Sequence, residues 1–118
     1  MINTGTILAS ARELNVQAAI EIPKDVQKKV EQLSAEETNL HSRYVLGKIL
    51  ENYDAAIKER RPMCADTGLP RYYAKIGNEA VVEGGMVALE KALRQATADT
   101  TSSIPLRPNR VHPFSRKD

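Results

Sequence analysis

The chain has 118 residues, room for a single domain with a core of modest size. Hydrophobic residues make up 42% and charged residues 27%, and 17 Lys and Arg face 15 Asp and Glu. That balance excludes disorder along the whole chain and gives no general electrostatic footprint for nucleic acid. The longest apolar stretches, such as Tyr44-Val45-Leu46, are a few residues each, so no membrane partner is expected. No signal peptide is visible, and the lone Cys64 cannot form an internal disulfide, so the expected location is cytoplasmic. Four Tyr, one Phe and no Trp are too few aromatics for a β-sandwich, and the composition leans helical.

Ile7, Ala11, Leu14 and Ala18 fall at i, i+4, i+7 and i+11, the spacing of one helix face. Pro23 ends that helix, because its ring restricts Ile22 to extended backbone, and the same proline can open a second helix at its first position. Val26, Val30 and Leu33 share a face of the second helix. Ser34-Ala35-Glu36-Glu37 spells a capping box and predicts the start of a third. The third helix has an apolar stripe of Leu46, Ile49, Leu50, Tyr53 and Ile57 and stops at Arg60-Arg61-Pro62. Beyond it, Met63–Pro70 reads as a loop, Arg71–Ile76 as a short strand and Gly77-Asn78 as a turn. Val82, Met86, Leu89 and Leu93 mark a fourth helix, with Gly84-Gly85 near its start. From Thr97 the pattern dissolves, and residues 104–118 are basic and interrupted by Pro105, Pro108 and Pro113. The fold class is therefore mainly α with a short β element (α+β).

Chemistry concentrates in Cys64-Ala65-Asp66-Thr67-Gly68. Asp-Thr-Gly alone fits an aspartic protease, but that motif needs an all-β chain with an apolar strand before the Asp, and here it follows a long helix. A cysteine nucleophile would need a base, and the only histidines are His41, among helical residues, and His112. One Cys and two scattered His show no complete metal-ligand spacing. Taken singly, these residues give a suggestive loop and a basic tail.

Together they resemble a specific family. Arg61-Pro62-Met63-Cys64-Ala65-Asp66-Thr67-Gly68 followed by Tyr72-Tyr73-Ala74-Lys75-Ile76-Gly77 is similar to the first cluster-binding segment of the class I iron–sulfur hydro-lyases. These comprise the class I fumarases and the α subunit of L-tartrate dehydratase. The block from Leu106-Arg107-Pro108 to Asp118 is similar to the Leu-Arg-Pro segment that follows in that family, and Ile49–Ala56 to its lead-in helix. Ala65 departs from the usual Gln.

The resemblance implies a 4Fe-4S cluster held by three thiolates, with Cys64 as the one expected ligand present. It implies Asp66 as a catalytic and substrate-binding carboxylate, Arg107 as a substrate-carboxylate partner and Thr67 as a further substrate contact. Gly68 is expected to supply a left-handed backbone position. The chain then reads as the N-terminal fragment of a hydro-lyase α domain, with a helical lead-in at 1–61, a cluster-ligand loop and short strand at 62–78, a helix at 79–98 and a basic Pro-rich segment at 99–118. The implied substrate is a hydroxy-dicarboxylate, and the implied partner a β subunit or C-terminal domain of the same enzyme. Self-association, no cluster in the isolated fragment and no activity alone are also expected. Two alternatives stay open: a non-catalytic helical interaction module lacking a cluster, and, more distantly, a thiol-dependent enzyme.

Overall fold

A computed structural model describes residues 1–107 and 114. Among the described residues four helices follow one another: α1 (Thr4–Ile20), α2 (Lys24–Glu36), α3 (Leu40–Glu59) and α4 (Gly85–Thr100). The chain divides into two units, Gln17–Cys64 and Met1–Val16 with Ala65–Asp118. The architecture is mainly helical, as the composition suggests.

Within Gln17–Cys64, α2 and α3 pack on one another. Their boundaries are set by local chemistry. Pro23 stands at the N-cap of α2, one position before the first-turn place expected for it. The expected capping box does not form: Ser34 lies in the last turn of α2, and α3 starts five residues later than the motif predicts. Asn39 is the real cap, its side-chain oxygen accepting from the amides of His41 at 3.0 Å and Ser42 at 3.1 Å. An Asx cap satisfies two of the helix's otherwise unpaired donors at once, so it outcompetes the Ser-x-x-Glu signal. At the other end Arg60 is left-handed at φ 49°, with Arg61 N donating to Ala56 O and Arg60 N to Ile57 O. That is a Schellman closure with arginine where glycine is usual. Leu46, Ile49, Leu50 and Tyr53 are half-buried as their spacing predicts, but the stripe ends on buried Ala56 while Ile57 is exposed.

The second unit is tied by residues distant in sequence. Asn3 Oδ1 accepts from Gly5 N at 2.7 Å and so caps α1. Ile2 forms an isolated parallel bridge with Val82, through Ile2 N to Val81 O at 2.7 Å and Glu83 N to Ile2 O at 2.9 Å. Val82 therefore lies outside α4. Gly84 caps α4 at φ 73°, and a Cβ there would stand 2.8 Å from that of Ala88, so only glycine fits. α4 runs two residues past the predicted end, to Thr100. Thr97 and Thr100 turn their hydroxyls back onto the carbonyls of Leu93 and Ala96, so these polar side chains are satisfied within the helix.

The buried face of α1 differs from the one expected. Ala11 is buried, but Leu14 is 57% exposed and buried Asn15 takes its place. Asn15 can be inside because its amide oxygen and its amide nitrogen each have a partner, as described below. The expected strand at 71–76 is also absent. Among the described residues these positions make no backbone hydrogen bonds to other backbone, and β-prone residues without a ladder partner do not form a strand. The turn beside them does form, with Ala80 N donating to Gly77 O at 3.0 Å. No helix among the described residues is long and apolar enough to cross a membrane.

Candidate functional site

Two arms 38 residues apart in sequence meet in the unit formed by Met1–Val16 and Ala65–Asp118. Gly68 and Leu106 pair as an isolated parallel bridge. Gly68 N donates to Pro105 O and Arg107 N donates to Gly68 O, both at 2.9 Å. Leu106 N also donates to Ile104 O at 2.8 Å, a tight turn centred on Pro105, whose fixed φ suits it. Ile104 anchors this arm at 4% exposure. The backbone therefore sets Thr67-Gly68 beside Leu106-Arg107, and three of the residues picked from sequence, Asp66, Thr67 and Arg107, belong to one substructure.

Gly68 corrects an expectation. Its φ is not in the left-handed region, and a Cβ placed on it would meet Leu106 Cδ2 at an ordinary 3.7 Å. An extended bridge position asks nothing special of the backbone, so glycine is not required there by conformation.

Asp66, Thr67 and Arg107 are all exposed, and among the described residues no hydrogen bond or ion pair engages their side chains. An exposed guanidinium with its five donors uncommitted is suited to a carboxylate, which it can bind through two parallel hydrogen bonds. Arg110, Arg116 and Lys117 of the basic segment lie outside the described residues, as does His112.

Cys64 is the last residue of the Gln17–Cys64 unit and its thiol is free and exposed. Its approach is fixed by the residue before it. Met63 N donates to Ala19 O at 3.0 Å, and Met63 O accepts from the Asn52 side chain at 2.9 Å. With both backbone groups of Met63 held, Cys64 leaves a pinned point. Asn52 is a contributor that sequence reading passed over; an Asn on a helix face gives no signal of a bond eleven residues away.

Tyr72 and Asn15 were also passed over. The Tyr72 hydroxyl donates to Asn15 Oδ1 at 2.8 Å and lies 3.0 Å from Thr97 Oγ1, while Asn15 Nδ2 donates to Thr100 Oγ1 at 3.1 Å. Tyr72 was visible in sequence only as a motif and strand residue. Nearby, Arg12 Nε donates to Asp99 Oδ2 at 2.8 Å and its Nη2 joins the same oxygen. Arg12, followed by the Gln95 amide, holds the Asp99 carboxyl below the usual carboxylate range.

Comparison with known proteins identifies the family. The fumarate hydratase (Fumerase) family model matches residues 8–118. A Methanocaldococcus jannaschii protein, provisionally named as an L(+)-tartrate dehydratase subunit alpha, is 35% identical over 106 residues, covering 90% of this chain and 37% of its own length. The L(+)-tartrate dehydratase subunit alpha of Escherichia coli (strain K12) is 33% identical over 93 residues, 79% of this chain and 30% of that protein. The chain belongs to the class I fumarate hydratase family of iron–sulfur hydro-lyases. It spans about a third of the length of the relatives it matches.

The residues present can be tested against the cluster this family implies. Cys64 fits the part of one ligand, since a thiolate is a soft donor for iron and this thiol is free and exposed. The sequence holds no second cysteine, and among the described residues no three His, Cys, Asp or Glu side chains converge on a metal position. One cysteine thiol is what the sequence offers such a cluster.

Proposed function

We propose that the chain forms the helical, first-ligand part of the α subunit of a hydro-lyase of the fumarate hydratase or tartrate dehydratase type, located in the cytoplasm. It removes water reversibly from a hydroxy-dicarboxylate together with further α sequence and a β subunit or C-terminal domain. Alone it is inactive and self-associates through its exposed apolar side chains. One observation carries the reading: the Gly68–Leu106 bridge sets the Asp66-Thr67 loop beside Arg107, as a site built from both motifs requires.

In that reading Cys64 supplies one thiolate to a 4Fe-4S cluster, which when bound provides Lewis acidity toward the departing hydroxyl. Arg107 binds one substrate carboxylate and fixes the molecule's orientation. Thr67 contributes a hydroxyl at the edge of the loop. Asp66, with no partner among the described residues, accepts a hydrogen bond from the substrate hydroxyl or exchanges its proton. Overall the C–O bond breaks at one carbon, the C–H bond at its neighbour, a C=C bond forms and water leaves.

The test is an anaerobic dehydration assay, with malate and with tartrate, of this sequence assembled with the remaining α length and the β partner. Asp66→Asn is expected to lower kcat by about a hundredfold or more, and Arg107→Ala to raise KM with a smaller effect on kcat. Cys64→Ser is expected to lose cluster absorbance and iron content together. Full activity and iron content in all three variants would sink the proposal.

A further inference from the structure

We infer that Tyr72 is a positioning residue for both arms of the site, acting through a buried hydrogen-bond chain that runs by way of Asn15 to Thr100. The inference rests on the dicarboxylate site proposed above and adds a residue to it.

Each end of the chain attaches to one arm. Tyr72 stands four residues after Gly68, with Pro70 between them limiting the slack. Thr100 stands at the end of α4, and its carbonyl accepts from Ser103 N and Ile104 N, both at 3.0 Å, which leads directly into Pro105-Leu106-Arg107. Between them, Asn15 takes the Tyr72 proton on Oδ1 and gives one from Nδ2 to Thr100 Oγ1. Because the Tyr72 hydroxyl donates to Asn15, it can only accept from Thr97. Thr97 has one proton to divide between Tyr72 and the Leu93 carbonyl.

Burial gives the chain its leverage. Asn15, Thr97 and Thr100 are 7%, 3% and 5% exposed, and no buried side-chain polar atom among the described residues lacks a partner. Removing the Tyr72 hydroxyl strands Asn15 Oδ1 at a residue only 7% exposed, and a stranded buried acceptor costs more than the bond it lost. The bridge itself is two backbone hydrogen bonds between an exposed loop and a half-buried one, the kind of contact that opens readily unless its flanks are held. Tyr72 holds one flank and, through Asn15 and Thr100, meets the element that holds the other.

A loosened bridge lowers the fraction of molecules with Arg107 correctly placed. Apparent affinity falls by that fraction, while saturating substrate restores the closed form. In the assembled enzyme, Tyr72→Phe is therefore expected to raise KM for the hydroxy-dicarboxylate about tenfold and leave kcat within about twofold. Amide hydrogen exchange at Gly68 and Arg107 should quicken by about the same factor, a readout independent of turnover. Thr97→Val, which leaves the Tyr72–Asn15 bond in place, should move both quantities less. Ala92→Gly, a buried α4 change away from the chain, should lower Tm yet move neither KM nor the two amides. The inference is overturned if Tyr72→Phe leaves KM and both amides at wild-type values, or shifts them no more than Ala92→Gly does. If Arg107→Ala raises KM and Tyr72→Phe does not, only the role of Tyr72 falls. An unchanged KM in Arg107→Ala removes the site, and this inference with it.

Discussion

The segment Gln17–Cys64 and the unit formed by Met1–Val16 with Ala65–Asp118 are stabilised in different ways. The first joins two helices through a half-buried apolar stripe, with the ends of α3 closed by caps reaching only a few residues along the chain and one longer tie, from Met63 N to Ala19 O. The second relies on bonds between distant residues: Ile2 with Val82, Arg12 with Asp99, Asn15 with Tyr72 and Thr100, Gly68 with Leu106. Among the described residues its buried side chains are small or polar, chiefly Ala, Thr and Asn, with Ile104 the one large one. Apolar packing tolerates small displacements, whereas a hydrogen bond is lost over a fraction of an ångström or a poor angle. The loops with Asp66, Thr67 and Arg107 belong to the part held by the more exacting contacts, which suits the substrate-binding role proposed for them.

The sharpest way to break the long-range unit is at its tightest backbone point. Gly84→Ala places a Cβ 2.8 Å from that of Ala88 at a residue with φ 73°. Left-handed backbone costs roughly 1–2 kcal/mol and overpacking roughly 1–3. A loss of about 2–3 kcal/mol is expected, read from the denaturant midpoint. Gly68→Ala, with ordinary space and no positive φ, should stay within about 0.5 kcal/mol. Equal losses at the two glycines would contradict the backbone reading of both.

In the helical segment the corresponding change is smaller because only a local cap is lost. Asn39→Ala should cost about 1 kcal/mol, while Ser34→Ala should be close to neutral. The reverse order would restore the capping box as the true start of α3.

The same contrast explains what was legible in the sequence. Helix existence, the half-buried stripe of α3 and the stop at Arg60 follow from contacts three or four residues apart, and periodicity reads those directly. The start of α3 was misplaced because two capping signals lie within six residues and only geometry chooses between them. Leu14 was expected inside because apolar residues are counted as core. The residue that is inside, Asn15, is polar and becomes tolerable only through Tyr72 and Thr100, 57 and 85 residues away. The strand at 71–76 failed for the same reason, since propensity cannot supply a partner. Within the site, residue types and motif order picked out Cys64, Asp66, Thr67 and Arg107, but nothing in the sequence shows that Gly68 pairs with Leu106.

The smallest predicted effect separates the two regions by pH. Arg12, and after it Gln95, hold the Asp99 carboxyl below its ordinary value, so the folded state binds its proton less readily than the unfolded chain. That contribution is complete above the ordinary carboxylate range and fades as pH falls below about 4, through the folded value. In the helical segment the sign is opposite: Glu51, hydrogen-bonded to Lys48 and opposite in charge, raises the lysine's value. Its contribution is complete below the unfolded lysine value and fades at the alkaline end, as pH rises through the folded one. Both pairs are exposed, so each effect is slight and should shrink in high salt. Asp99→Asn should flatten the acid limb of a stability-against-pH curve and leave the alkaline limb alone, and Glu51→Gln should flatten the alkaline limb. An acid limb that Asp99→Asn leaves unchanged would mean that the Arg12–Asp99 pair adds nothing to the bonds joining α1 to α4, leaving Asn15 and Thr100 to make that link.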